Sequence, residues 1–150
     1  MIKRADLCDA EMVKAITEQT INSVYPKYYP KGAVEFFLNH HNENNIKNDI
    51  EKGIVYILYE GDNAVGTVTI KENEILRLFV LPQFQGKGFG GRLLDFAEKK
   101  AAENHSKIII DASLPAKTIY LKRGYVFTEY HTIKTENGDF LCYDVMEKVL

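Results

Sequence analysis

The feature that most restricts this chain is a glycine-dense stretch, Gly86-Lys87-Gly88-Phe89-Gly90-Gly91, set between a strand-like segment and a helical one. Ile75 to Val80 reads as a strand, and Leu81-Pro82-Gln83-Phe84-Gln85 as a short loop. Beyond the glycines, Leu93, Leu94, Ala97 and Ala101 recur at helical spacing while Asp95, Glu98, Lys99 and Glu103 point outward. Four glycines in six positions permit positive φ and close approach by a ligand. Free N–H groups converge there, at the positive end of the helix dipole. Such backbone is an anion cradle, suited to a phosphate or pyrophosphate. A plain surface turn would need glycine at only one or two of these positions. With 19 basic and 21 acidic residues the net charge is −2, so no whole-molecule field attracts a polyanion and a local device must hold it.

Around this segment the hydrophobic period changes several times. Asp6 is a plausible N-cap for a helix that places Leu7, Ala10, Val13, Ile16, Thr20 and Val24 on one face. A loop with two prolines, Tyr25 to Gly32, separates it from a second helical pattern that groups Val34, Phe37, Leu38 and His41. This pattern continues to Lys52, where Gly53 stops it. Ile54 to Tyr59 and Ala64 to Ile70 then form a hairpin about Gly61-Asp62-Asn63, and a turn at Lys71-Glu72-Asn73 leads into the strand before the glycines. Downstream, Ile108 to Ile110 is a buried strand. Pro115 to Arg123 reads as a helix with Ser113 as N-cap and Gly124 after its end. Tyr125 to Lys134 and Phe140 to Lys148 flank Asn137-Gly138, which predicts a type I′ turn. The order is that of an α/β (α+β) protein with a mixed sheet covered by helices. A chain of 150 residues is one domain, 1–150, with no room for a second.

Cys8 and Cys142 lie near opposite ends without metal-ligand spacing, which predicts neither disulfide framework nor metal site, and a cytoplasmic setting. His40-His41 and His105 lack companion ligands and read as surface or capping groups. The charged start of the chain does not read as a secretion signal, and the apolar runs are too short to span a bilayer. Neither nucleic acid nor membrane is expected as a partner.

Two ligand classes fit the cradle. Gly86 to Gly91 satisfies the dinucleotide pattern GxGxxG, with Asp111 after the next strand in place for a ribose. Against an NAD-dependent enzyme, five residues separate Val80 from Gly86, and the preceding strands are joined by hairpins rather than crossover helices. A Walker A loop fails for want of Gly-Lys-Ser/Thr.

The residues resemble the GNAT superfamily of acetyl-CoA-dependent N-acetyltransferases. Gln85, Gly88 and Gly90 behind Val80-Leu81-Pro82 match its Gln/Arg-x-x-Gly-x-Gly/Ala signature. Ala116, Tyr120, Gly124 and Tyr125 match a downstream Asn-x-x-Ala-x-x-x-Tyr-x-x-x-Gly-Phe register, with Ser113 for the usual Asn and Tyr125 for Phe. The resemblance implies a mostly antiparallel sheet of six to seven strands, flanked by about four helices and splayed between the fourth and fifth strands. Pantetheine then pairs with Leu78, Phe79 and Val80, and the pyrophosphate rests on Gln85, Gly86, Lys87, Gly88, Phe89, Gly90 and Gly91, with Ser113 and Tyr120 alongside.

It further implies direct transfer of acetyl from acetyl-CoA to a primary amine of a small molecule or peptide. Glu74 aligns with the family's general base, and the Val80 N–H donates to the thioester oxygen. Tyr120 returns a proton to the thiolate. Tyr25, Tyr28 and Tyr29 border the acceptor pocket. The hairpin about Asn137-Gly138 lines its other side or pairs two chains into a homodimer. A non-catalytic acetyl-CoA sensor would keep the cradle without turnover.

Overall fold

The computed structural model describes residues 1–150. Its elements are β1 (Ile2–Arg4), α1 (Ala10–Val24), α2 (Lys31–His40), α3 (Glu43–Glu51), β2 (Val55–Glu60), β3 (Asn63–Lys71), β4 (Glu74–Val80), α4 (Phe89–Ala102), β5 (Lys107–Ala112), α5 (Lys117–Lys122), β6 (Val126–Lys134) and β7 (Phe140–Val149). The strands form one sheet in the order β1-β2-β3-β4-β5-β7-β6, and every neighbouring pair is antiparallel except β4–β5. This is the sheet that the resemblance implies. The run of hairpins ahead of the glycines removes the parallel sheet that a dinucleotide loop requires.

Five helices are present rather than about four, because the second helical pattern breaks at His41-Asn42. Asn42 caps α3 by accepting from the Asn45 N–H at 2.9 Å, while the Asn45 carboxamide donates to the His40 carbonyl at 2.9 Å. Local side-chain bonds of this kind compete with helix continuation. At the N-terminus the cap also shifts. Leu7–Asp9 forms a 3-10 turn, Asp9 accepts from the Asp6 N–H, and Leu7 is exposed. Gly53 (φ +70°) and Gly124 (φ +88°) end α3 and α5 in the left-handed region, as their positions predict. Helix α5 begins later than Pro115. The Ser113 carbonyl, not its hydroxyl, receives the Ala116 and Lys117 N–H groups at 3.0 and 3.1 Å.

The splay has a local cause. In β3–β4 the register steps from Thr69↔Arg77 to Ile70↔Ile75, so Leu76 is an extra residue on β4. A bulge bends and twists its strand. The parallel pairing with β5 accordingly contains only Glu74↔Ile109 and Ile75↔Ile110, and past these pairs the strands part. On one face α4 covers a core containing Leu58, Val68, Leu93, Leu94, Ile108, Ile110 and Met146. On the other, α1 and α2 cover Phe79, Leu81 and Leu141 with Tyr25 and Tyr29, and α1 with α3 covers Val55 and Ile57.

The β6–β7 turn differs from expectation. A type I′ turn needs positive φ at both central residues, yet only Gly138 (φ +88°) has it. Thr135 and Asp139 close the loop instead through Thr135 N–H to Asp139 C=O (2.8 Å) and Gly138 N–H to Thr135 C=O (3.0 Å). This shape lets Asp139 accept from the Gly32 N–H at 2.8 Å, capping α2 from a distant part of the chain. Asn137 packs so tightly over Gly32 that a Cβ there would overlap its carboxamide, which Thr135 and Asp139 hold in place. Gly32→Ala should lower stability by about 1–3 kcal/mol, read by denaturant titration; unchanged stability would show the hairpin free to move.

Candidate active site

Residues 86–91 are an open nest of donors. Gly86 (φ +74°) and Gly88 (φ +86°) need glycine for backbone reasons, and space around both is open. Gly88 starts α4 without a side-chain cap, and the first helical bond is Arg92 N–H to Gly88 C=O at 3.1 Å. None of the N–H groups from Gly86 to Gly91 has an acceptor within the chain. Gln85 holds the loop onto the strand, its side-chain amide donating to the Val80 carbonyl at 2.9 Å. Lys87 lies over the Phe84 ring, and Arg92 reaches Glu60 at 3.4 Å. The Phe89 side chain is buried in the core, leaving only its backbone to the nest.

A second free edge runs into this nest. Leu81 N–H donates to Val65 C=O at 2.9 Å, and alternation along β4 therefore turns the Leu78 and Val80 N–H groups away from β3. They face the gap that β5 has vacated. A cavity of about 400 Å³ occupies this gap, lined by Leu78, Phe79, Val80, Gln85, Gly86, Gly88, Gly90 and Gly91 together with Ser113 and Tyr120. Thr20, Val24, Tyr25, Tyr28, Leu94, Pro115, Ala116 and Ile119 complete it. No short motif marks Thr20, Val24, Pro115 or Ile119, because the end of α1 and the segment around the start of α5 reach the gap only through tertiary packing.

A smaller cavity of about 180 Å³ lies on the α2 side. The two meet at Tyr25, Leu78, Phe79, Ser113, Ala116 and Tyr120. Tyr120 is 4 % exposed and burial drives its phenol pKa far up; burial also pushes Tyr25 up to about 12, with Ser113 opposing. Both are neutral hydroxyls where the cavities join.

A family model for the acetyltransferase (GNAT) domain matches residues 24–143. The chain belongs to the GNAT acetyltransferases. It is therefore an acyltransferase. A GCN5-related N-acetyltransferase from Rhodopseudomonas palustris, described also as a class-II aminotransferase, shares 26 % identity at TM-score 0.91 over 100 % of this chain and 95 % of its own. The paiA N-acetyltransferase of Thermoplasma acidophilum in complex with coenzyme A has the same fold at 19 % identity, TM-score 0.78, over 100 % and 98 % of the two chains. So does yncA of Salmonella typhimurium with its cofactor acetyl-CoA, at 17 % identity, TM-score 0.74, over 100 % and 93 %. Comparison with curated proteins gives no match.

Within this GNAT domain the other expected residues are dispersed. Glu74 is half-buried at the closed end of the splay and lines neither cavity. Tyr28 is 50 % exposed and lines the larger cavity. Tyr29 lines neither; its hydroxyl accepts from the Leu114 N–H at 2.7 Å and fixes the loop after β5. Cys8 and Cys142 are free thiols, no cluster of three or more His, Cys, Asp or Glu could hold a metal, and no helix is long and apolar enough to cross a membrane.

His41 corrects the surface reading of the histidine pair. Its side chain is buried, and the Arg77 Nε–H donates to its Nδ1 at 3.2 Å, which leaves the ring proton on Nε2. Arg77 also donates to Thr69 and Asp49, both at 2.9 Å. Burial first, then Arg77 and His40, lower the His41 pKa to about 3. The folded value lies below the ordinary value of about 6.5, so the unfolded chain takes up the proton first. Stability from neutral His41 is complete above about pH 6.5 and is lost as pH falls towards about 3. Thermal melts between pH 7 and 4 should therefore decline more steeply for wild type than for His41→Asn, which keeps an acceptor for Arg77; equal slopes would clear His41 of the effect.

Proposed function

We propose that this protein moves the acetyl group of acetyl-CoA onto the nitrogen of a primary amine by direct attack. One observation carries the reading: a free strand edge at Leu78 and Val80 runs into six unpaired N–H groups at the start of α4, along one continuous cleft. An extended ligand with amides along its length and a diphosphate at one end suits that cleft. When bound, acetyl-CoA supplies an activated thioester. The structural relatives that carry coenzyme A or acetyl-CoA support this ligand class.

The chain's own groups then divide the work. The nest from Gly86 to Gly91 receives the diphosphate, so a molecule of net charge −2 needs no basic patch. The Val80 N–H donates where negative charge gathers on the carbonyl oxygen. Tyr120 holds a proton for the departing sulfur at the junction of the two cavities. Glu74 removes a proton from the acceptor ammonium through water, since it lines neither cavity. Calorimetry should show saturable binding of acetyl-CoA and none of NAD, and thiol should be released when primary amines are added. Binding without release with any amine would favour a sensor; binding of NAD alone would overturn the reading.

A further inference from the structure

The smaller cavity has a chemistry of its own. Its wall is mainly apolar, with Phe36 and Phe37 from α2, Ile133 from β6 and Tyr143 from β7. Its volume, about 180 Å³, is close to that of an apolar cavity of about 150 Å³ that takes up benzene in another protein. There is room for one ring or a short alkyl body.

Charge in this wall is unbalanced. Arg77 is already neutralised by Asp49 at 2.9 Å, His41 is held neutral, and His40, also in the wall, stacks on Phe36. Beyond the wall, Glu129 pairs with His131 at 2.8 Å and Asp144 with Lys117 at 3.6 Å. Asp111 stands at the solvent-exposed rim of the cavity and enters no ion pair or side-chain hydrogen bond. The last β4–β5 pair is Ile75↔Ile110, so Asp111 is the first β5 residue past the parting of the strands. Ile110 and Ala112 turn into the core under α4, and alternation places Asp111 on the opposite face. There it stands across from Val145 of β7, with Tyr143 two residues along on the same face.

A ring-sized, mainly apolar socket with one carboxylate free of ion pairs at its rim, just past the parting of the strands, matches a cation with an apolar body. We infer that Asp111 anchors the ammonium of a monoamine whose aromatic or alkyl body fills the cavity between α2 and β7. The acceptor class is then a small hydrophobic amine; a polyamine would need a second free acid in the wall. This inference rests on the amine-acetyltransferase reading, and it has a readout independent of turnover.

The test is titration of the full-length protein and of Asp111→Asn with 2-phenylethylamine, 2-phenylethanol and spermidine, followed by NMR chemical shifts. The ammonium should bind the wild type about ten-fold or more tightly than the variant, the worth of a charge-assisted bond. The neutral alcohol should bind both proteins alike, which shows the socket intact in the variant. Equal ammonium binding by the two proteins, or tighter binding of spermidine than of 2-phenylethylamine, would overturn the inference. A parallel titration with coenzyme A separates the two claims. Failure of wild type to bind it, with Asp111-dependent ammonium binding retained, would remove the transferase reading and still support the socket.

Discussion

Tyr120→Phe is expected to lower kcat by about 10²–10⁴-fold, the usual contribution of a positioned general acid, with the Kd for acetyl-CoA unchanged. The substitution removes one hydroxyl and keeps the ring, which packs 5.5 Å from Tyr125 between centroids in the core. Burial keeps the phenol protonated far beyond neutral pH, so it is a proton donor throughout the range of an assay. A departing thiolate without a donor in reach must wait for water. Single-turnover kinetics at saturating acetyl-CoA isolate this step, and calorimetry reports binding. Equal turnover in the two proteins would take Tyr120 out of the chemistry.

Gly90→Asp should weaken coenzyme A binding by about 100-fold or more, at least 2.7 kcal/mol, while leaving the melting temperature unchanged or slightly higher. A Cβ at Gly90 comes no nearer than 4.0 Å to Val80, and the residue has no positive φ, so the backbone accepts the side chain. A carboxylate in the first turn of α4 interacts favourably with the helix dipole, by about 0.3–1 kcal/mol. The same carboxylate occupies the nest and repels a diphosphate. Affinity and stability therefore move in opposite directions, which a simple folding defect cannot do. Calorimetry and thermal melts on one preparation measure both, and undiminished coenzyme A binding would place the diphosphate away from the nest.

The candidate site was most legible in the sequence where backbone geometry alone shapes it. Four glycines between a strand and an amphipathic helix mark an open turn locally, and Gly86 and Gly88 adopt the positive φ that such spacing permits. The alternation of β2 to β4 and the helical period of α4 also come from short-range pattern. The Leu76 bulge is different, because Leu76 looks like any strand residue and its role exists only in the register with Thr69 and Ile70. The division of α2 from α3 turned on Asn42 and Asn45, whose side-chain bonds outcompete an apolar period that continues through them.

Side chains assembled from distant elements were the least legible. His41 carries no signal of its burial, since Arg77 reaches it from β4 and is itself held by Thr69 of β3 and Asp49 of α3. Asp111 fitted a ribose contact in sequence, yet the structure places it on the wall of the smaller cavity. Of the tyrosine cluster, Tyr25 lines both cavities, Tyr28 lines one, and Tyr29 serves the Leu114 backbone instead. Three tyrosines within five positions thus have three different surroundings, set by the 3-10 turn Tyr25–Lys27.

The sheet is joined across its middle by two residue pairs. Beside them, α4 and the Tyr29 clasp bridge what are otherwise two half-sheets. Such a seam makes the empty molecule compliant: amides of Leu78 and Val80 should exchange rapidly with deuterium, and β5 to β7 should open at a lower free energy than β2 to β4. A guest lying in the seam supplies the missing rungs and welds the halves into one cooperative unit, so protection at those two amides reports occupancy without any assay of turnover.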